Sequence, residues 1–366
     1  MSTTVLNKLG ERISLEEAVS LVIAMGSDAN LMLRGEKGIG KSSMMGMLRE
    51  RLGDGYHYCY YDMGAKGEGD VGIPFPSAPD GEGKRFLEWL ASEEFGLHTG
   101  LPLVVMLDEF TKAPRSVQNM VHPMLEQHNR RILGKSLPAK SIIILTGNLT
   151  EEGLNDNLFE HTKDRIVEVE VAKPDAKQWL MWGVQNDIHP AVLAFVDRTP
   201  QVMASFRDPD FDHDNSYVYN PRRAGAGKYC TPRSLVQASR IVWQKDQISD
   251  NAFRAALIGA VGGPTAAGLH DYIAFSEDLP SPDEIIKTPE KARIPDSAGA
   301  RVVLLFALER RVDADTIDPI MQYVERLGAE QMMIMCSTLS RSATKSVVAA
   351  KNKRFTHWLV ENADLI

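Results

Sequence analysis

Cysteine is scarce in this chain. Three cysteines, Cys59, Cys230 and Cys336, stand among 366 residues, and none has a neighbour at the short spacing of a zinc site. So few and so scattered thiols provide no disulfide framework, and a reducing, cytoplasmic environment is the expectation that follows. Residues 1–10 also lack the apolar core of a signal peptide, which favours the same location.

Long apolar runs and basic clusters are also missing. No apolar run approaches the roughly 20 residues that a membrane-spanning helix needs, so we expect no membrane span. The chain carries 41 basic and 49 acidic residues, a formal net charge of −8. Because nucleic-acid binding depends largely on Lys and Arg contacts to phosphates, this balance argues against a strongly basic nucleic-acid surface. A local positive pore is compatible with it.

What is present is a glycine-rich stretch, residues 35–42, that fits the phosphate-loop pattern G-x-x-x-x-G-K-[ST] at every fixed position. An apolar run precedes it and a helix-like run follows, as the motif requires. Backbone N–H groups of such a loop form an anion nest at the positive end of the next helix. Lys41 would reach the β- and γ-phosphates, and the Ser42 hydroxyl would ligate Mg²⁺. An ordinary glycine-rich turn is the alternative. The residues predicted to bind the nucleotide here are Gly35, Glu36, Lys37, Gly38, Ile39, Gly40, Lys41, Ser42 and Ser43.

Two further apolar runs end in polar residues suited to hydrolysis. Residues 103–107 read as a buried parallel strand and precede Asp108 and Glu109. Asp108 could hold Mg²⁺ and Glu109 could polarise the attacking water, although adjacent acids also occur as plain helix N-caps. Residues 141–145 lead to Asn148, which could orient a water molecule or touch the γ-phosphate, and which alone would be read as a turn residue. The order of the three elements favours the catalytic interpretation.

The stretches between these elements give weaker signals. Residues 64–85, rich in glycine, proline and acid, predict a long exposed loop or hairpin, functional or merely solvated. Residues 86–95 predict a helix, and residues 114–127 predict a helix that Pro123 should kink or end early. Arg130 and Arg131 could face a neighbouring subunit's nucleotide or form a solvated basic turn.

Strand-like alternation stops at residue 171 and helical patterning begins, so the chain should divide into two or three lobes. The predicted division is a nucleotide-binding core at 1–172, a helical lid at 173–277 with an irregular insertion at 206–228, and a connector with three or four C-terminal helices at 278–366. The insertion is rich in aspartate, but His213 and Tyr219 occupy positions where a calcium loop needs Gly and Glu. A solvated acidic loop is the interpretation.

Taken in order, five segments resemble an AAA+ ATPase of the MoxR-like type over roughly residues 10 to 270. The segments are 35–42, 107–109, 146–148, 164–165 and 231–233. The family's Leu-Asp-Arg-Phe segment is similar to residues 163–166, which implies that Arg165 is an arginine finger supplied to the adjacent subunit. The Ser-Pro-Arg start of a lid helix is similar to residues 231–233, which implies that Arg233 is a second sensor; a salt bridge from Arg165 to Asp164 or Glu160, and a plain surface role for Arg233, are the alternatives.

The resemblance implies a three-layer αβα core with a parallel sheet, followed by an all-α lid. It further implies a hexameric ring, ATP and Mg²⁺ bound between subunits, and hydrolysis that remodels a client protein. A von Willebrand factor A-like partner would deliver the client, and residues 64–85 lie where the family's inserted hairpin would face it. Ile166 departs from the family pattern, and the helices after residue 298 have no counterpart in the minimal core.

Two other functions follow from the same residues. A nucleic-acid motor or loader could be built on this core, but it would need a basic, aromatic-bearing surface. A nucleotide-gated scaffold would bind ATP and hardly hydrolyse it, and the presence of Glu109 argues against that.

Overall fold

The computed structural model describes residues 12–149, 158–223, 227–277, 279–342 and 344–362. The chain divides into two compact units, Met1–Lys173 and Pro174–Ile366. The three-part division expected from the sequence stays a prediction.

The described residues of the first unit form nine strands and five α-helices. The strands are β1 (Leu31–Arg34), β2 (His57–Asp62), β3 (Gly72–Pro76), β4 (Leu87–Ala91), β5 (Leu103–Asp108), β6 (Arg131–Ile132), β7 (Lys135–Ser136), β8 (Ile142–Gly147) and β9 (Val167–Glu170). The helices are α1 (Leu15–Met25), α2 (Met44–Leu52), α3 (Glu68–Val71), α4 (Arg115–Val121) and α5 (Glu160–Lys163).

A parallel sheet organises this unit. Its strand order is β2, β5, β8, β1, β9, and Leu31 of β1 lies opposite both Ile144 and Val167. The central strands β1, β5 and β8 are buried along their whole length, which explains their continuous apolar sequence. One hydrophobic cluster packs α1 and α2 on one face, and a second packs α4 on the other. The predicted three-layer core with a parallel sheet, followed by a helical part, is confirmed.

Residues 86–95 correct the sequence interpretation. They were predicted to be helical, whereas β4 is a strand that pairs antiparallel with β3, Ile73 opposite Leu90. Phe86, Leu87 and Leu90 are each at least 59% exposed. Because these apolar residues do not face a core, their spacing does not indicate whether the segment is a helix or a strand. The predicted exposed segment 64–85 contains α3 and the first strand of this hairpin. The predicted break at Pro123 is confirmed, since α4 ends at Val121 and a 3₁₀ turn follows.

The described residues of the second unit form helices and connecting segments, with no strand among them. Its helices are α6 (Ala176–Gln185), α7 (Pro190–Arg198), α8 (Pro232–Trp243), α9 (Asp250–Val261), α10 (Gly263–Glu277), α11 (Pro282–Lys287), α12 (Ala298–Glu309), α13 (Ile317–Leu327), α14 (Ala329–Arg341), α15 (Lys345–Ala349) and α16 (Lys353–Glu361). Three or four helices were predicted after residue 298, but the described chain forms five there. Gly328, in the left-handed region at φ 119°, separates α13 from α14, a break that helical periodicity does not mark.

The insertion at 206–228 is irregular where it is described, apart from a 3₁₀ turn at Pro221–Arg223. Two of its aspartates form local contacts: Asp208 accepts from the Ser205 N–H at 3.0 Å, and Asp214 pairs with Arg223 at 2.9 Å. Across the described residues, no group of three or more His, Cys, Asp or Glu side chains is arranged to hold a metal ion. The aspartates therefore give no support for a calcium loop.

The three cysteines are all buried. Burial raises the pKa of the Cys59 thiol to about 12, and it does the same for Cys336.

The described part of the chain contains no helix that is both long enough and apolar enough to cross a lipid bilayer.

Candidate functional site

The glycine-rich loop joins β1 to α2, and its glycines are required by its conformation. Gly38 and Gly40 adopt left-handed φ angles of 73° and 106°, which side chains disfavour. A Cβ on Gly35 would lie 2.6 Å from the Ile39 side chain and 2.8 Å from the Val171 carbonyl oxygen. The loop therefore keeps its shape only with glycine at these positions. Residues Lys41–Ser43 form a 3₁₀ turn that leads into the helix, so the loop ends at a helix N-terminus.

Lys41 is buried within this loop, with 8% of its surface exposed. Its ammonium group donates to the carbonyl oxygens of Gly35 at 2.7 Å and Glu36 at 2.9 Å, and to Asn148 Oδ1 at 3.2 Å. The Asn148 contact links the loop to the end of β8. A cation with little access to water interacts more strongly with an anion than one in bulk solvent. Lys41 is thus placed to bind phosphate oxygens.

Asp108, at the end of β5, accepts hydrogen bonds from three hydroxyl groups. Ser42 Oγ donates to Asp108 Oδ2 at 3.0 Å, Tyr60 donates to the same oxygen, and Thr146 donates to Asp108 Oδ1. Burial disfavours the charged carboxylate, but the hydrogen bonds outweigh burial and hold the pKa of Asp108 below its ordinary value, with help from the charge of Lys41. Burial and this contact raise the pKa of Tyr60 to about 12. Asp108 is therefore an ionised carboxylate beside the Ser42 hydroxyl.

Glu109 follows in a left-handed conformation, with φ 53° and ψ 35°. Its N–H donates to Thr146 Oγ1 at 3.1 Å, and its carboxylate forms an ion pair with Lys112. The Glu109 side chain is 37% exposed, in contrast to buried Asp108. The two adjacent acids thus differ in environment: one is enclosed by hydroxyls and the other faces solvent.

Asn148 is held on its main-chain side by Arg34, the last residue of β1. Arg34 Nη1 donates to the Asn148 carbonyl oxygen at 3.4 Å, and its Nε lies 2.6 Å from Glu168 Oε1 on β9. Arg34 is 7% exposed, so this contact lies inside the unit. The residue that carries the predicted water-orienting amide is consequently tied to β1 and, through Arg34, to β9.

The structure does not bring Arg165 to this site. Arg165 precedes the amino end of β9, whereas the loop follows the carboxyl end of the neighbouring parallel strand β1. The two therefore lie at opposite ends of the strands. Its Nε pairs with Glu126 at 2.8 Å, and its Nη1 donates to the His161 carbonyl oxygen at 2.5 Å. The carboxylate that pairs with Arg165 is therefore Glu126, not Asp164 or Glu160.

A buried asparagine anchors the backbone at Arg165. Asn30 is fully buried, and its Nδ2 donates to the carbonyl oxygens of Arg165 at 2.9 Å and Leu125 at 2.8 Å. Its Oδ1 accepts from Arg130 Nη2 at 2.9 Å, and Arg130 Nη1 reaches the Ser141 carbonyl oxygen at 2.6 Å. Arg130 is thus a partly buried structural residue, whereas Arg131 is exposed on β6.

Arg233 belongs to the second unit. It is exposed in the first turn of α8, where Pro232 occupies the first position and the Ser234 N–H donates to Thr231 Oγ1 at 3.1 Å. The predicted helix start with proline in its first turn is confirmed.

Sequence reasoning missed several residues of the site. No role was predicted for Tyr60 and Thr146 on Asp108, for Arg34 on Asn148 or for Lys112 on Glu109, although Thr146 lies in the segment 146–148. Tyr60 and Thr146 could have been found only by aligning strands, since Tyr60 lies on the strand beside β5 and Thr146 on the strand at its other side.

The residues at this edge fit a triphosphate and Mg²⁺. Ser42 and Asp108 present a hydroxyl and an ionised carboxylate side by side, and Mg²⁺ takes oxygen ligands of this kind. The loop leaves no room for a Cβ at Gly35 and ends in a buried ammonium group.

Comparison with known proteins adds little to this geometry. No family model matches the chain, and no curated protein matches it. Among solved structures the chain is similar to that of a putative ATPase from Cytophaga hutchinsonii, with 13% sequence identity, 70% of this chain and 84% of that chain covered, and a TM-score of 0.33. A likeness at this level carries no conclusion about function.

Proposed function

We propose that the protein is a Mg²⁺-dependent ATP hydrolase of the AAA+ type. The observation that supports this most is the convergence of Lys41, the Ser42–Asp108 pair and Asn148 at the carboxyl ends of three adjacent strands, β1, β5 and β8. Ligands of open parallel sheets bind at this edge. A helix N-cap role for the acids does not account for a phosphate-loop lysine and serine bonded to the ends of two other strands.

In the proposed reaction, water attacks the γ-phosphorus, the bond to the β-phosphate bridging oxygen breaks, and ADP leaves with that oxygen. Ser42 and Asp108 would hold Mg²⁺, which neutralises phosphate charge when bound. Lys41 would exchange its present carbonyl partners for phosphate oxygens. Glu109, exposed beside the loop, would orient the water and accept its proton, and Asn148 would orient the water or the γ-phosphate.

Arg165 would act on the nucleotide of a neighbouring subunit. Arg165 lies at the opposite end of the strands from its own loop, on a backbone anchored by buried Asn30, and this position supports a role in trans. This proposal includes a ring, hexameric as in MoxR-like proteins, that remodels a client protein delivered by a von Willebrand factor A-like partner. Arg233 would serve as the second sensor.

Steady-state ATPase activity, measured together with particle size by light scattering, tests the proposal. We expect ATP to assemble the wild type into a ring, Glu109→Gln to keep the ring without turnover, and Arg165→Ala to lose turnover while still binding nucleotide. Mixing Arg165→Ala subunits with Lys41→Met subunits should restore hydrolysis. The Lys41→Met subunits would supply an intact Arg165 to the nucleotide sites of their Arg165→Ala neighbours. A wild type that stays monomeric with ATP, and an Arg165→Ala variant that hydrolyses normally, would remove both the finger and the ring.

Two further outcomes point elsewhere. ATP binding with negligible turnover that Glu109→Gln leaves unchanged would indicate a nucleotide-gated scaffold. Salt-sensitive stimulation of hydrolysis by DNA would indicate a nucleic-acid motor.

A further inference from the structure

A tight turn after β5 folds the chain back over Glu109. Glu109 is left-handed, and the 3₁₀ turn Phe110–Lys112 follows, closed by the Lys112 N–H donating to the Glu109 carbonyl oxygen at 2.9 Å. This turn brings the Lys112 side chain to the Glu109 side chain, and the ammonium group contacts Oε1. The ion pair is therefore a product of the local backbone conformation.

The other carboxylate oxygen of Glu109, Oε2, lies on the side of Gly64, two residues beyond β2. A Cβ at residue 64 would lie 3.0 Å from this oxygen. Meanwhile the Glu109 N–H is held by Thr146 Oγ1. The main chain of Glu109 is anchored, and its partly exposed side chain pairs with Lys112 and lies near Gly64.

We propose that Lys112 is a positioning residue that holds the Glu109 carboxylate in a resting state, and that this pair separates when Glu109 engages the attacking water. The inference rests on the proposed function, in which Glu109 accepts a hydrogen bond from that water. An oxygen that pairs with an ammonium group is a weaker acceptor for water than an unpaired one. The Lys112 pairing therefore competes with the reactive arrangement.

The strength of this competition follows from exposure. The Lys112 side chain is 31% exposed and that of Glu109 is 37% exposed, so solvent screens the pair. A partly exposed ion pair favours the paired over the separated arrangement by no more than about fivefold. Lys112 therefore slows basal turnover without preventing it.

The test is the turnover of Lys112→Met, which removes the charge and keeps the length of the side chain. We expect kcat for ATP to rise about two- to fivefold, with KM and the affinity for a fluorescent ADP analogue unchanged. Raising NaCl from about 0.05 M to about 0.5 M should raise the wild-type kcat relative to that of Lys112→Met, because salt screens the ion pair only where it exists. Lys112→Arg, which keeps a cation, should show less of the increase than Lys112→Met. Lys135→Met is the control for loss of an exposed lysine, since Lys135 lies on β7 outside the Glu109 turn.

The outcomes separate the two proposals. A Lys112→Met kcat equal to or below that of the wild type, in a protein that binds the analogue normally, overturns the role of Lys112 and leaves the ATPase intact. A wild type that binds nucleotide and hydrolyses it no faster than Glu109→Gln overturns the proposed function, and the resting-state proposal with it.

Discussion

Ser42 and Asp108 are 66 residues apart in the chain, yet the Ser42 hydroxyl donates to Asp108 Oδ2 at 3.0 Å. The bond links the loop after β1 to the end of β5, with β8 lying between the two strands. A contact of this kind depends on the strand order, because no local element joins its partners. It places the two predicted Mg²⁺ ligands side by side.

Substitution of Lys41 by methionine should weaken nucleotide binding. Lys41 is 8% exposed, and in such surroundings the attraction of its ammonium group to phosphate is poorly screened. We expect the affinity for a fluorescent ATP analogue to fall at least about tenfold, a loss of about 1.4 kcal/mol or more. Equilibrium titration measures this, with Lys135→Met as the charge control. Unchanged affinity would show that the loop does not bind phosphate.

Gly35→Ala should distort the loop, because the added Cβ meets the Val171 carbonyl oxygen, which belongs to the backbone and cannot rotate away. We expect the free energy of unfolding to fall by about 1–3 kcal/mol and nucleotide affinity to fall with it. The matched control is Gly46→Ala in α2, where a Cβ meets nothing within 4 Å. That change should stabilise the protein by about 1 kcal/mol, as alanine does in helices. Thermal unfolding and binding of the fluorescent ATP analogue are measured for both variants. Equal stability and equal affinity of Gly35→Ala and Gly46→Ala would contradict the predicted clash at Gly35.

Asn30→Ala should destabilise the first unit. The substitution leaves Arg130 Nη2 and the carbonyl oxygens of Leu125 and Arg165 without the buried amide that now bonds them. We expect a loss of about 2 kcal/mol in the free energy of unfolding, measured by urea denaturation.

Gln127→Ala is the control for Asn30→Ala. Gln127 also donates to a carbonyl oxygen, that of Asp28 at 3.0 Å, but from an exposed position where water replaces the bond. Its loss should stay within about 0.5 kcal/mol. If the two variants are equally stable, the buried amide is not an anchor.

His189 should make the second unit sensitive to acid. Its Nδ1 accepts from the Ala191 N–H at 3.1 Å as the cap of α7, and burial, aided by the charge of Arg310, lowers the pKa of His189 to about 4. The unfolded chain binds this proton near the ordinary pKa of 6.5, so between about pH 6.5 and pH 4 it holds more protons than the folded chain. Stability is therefore lost as the pH falls through this window, by about 2 kcal/mol at pH 5 relative to pH 7.

His189→Asn keeps a capping acceptor and removes the titration. Its urea midpoint should change less between pH 7 and pH 5 than that of the wild type. His357→Asn, at a side chain 74% exposed on α16, should retain the wild-type pH dependence. Identical pH dependence in His189→Asn and the wild type would mean that another group is responsible.

The three strands that carry the site were predictable because each is buried on both faces and reads as an unbroken apolar run. The loop was predictable because its backbone requires particular residues at fixed positions. Strand β4 was not, since its apolar residues are exposed and no core dictates their period. Neither Tyr60 nor Lys112 could be assigned, because one depends on strand register and the other on the left-handed turn at Glu109.

The burial of all three cysteines has a practical consequence for labelling. With the pKa values of Cys59 and Cys336 near 12 and Cys230 only 1% exposed, the native thiols should react slowly with maleimides at neutral pH. A cysteine introduced at exposed Phe86, in the β3–β4 hairpin, would then be labelled selectively without first removing the natural ones. A fluorophore there would report on the surroundings of the hairpin when nucleotide is added.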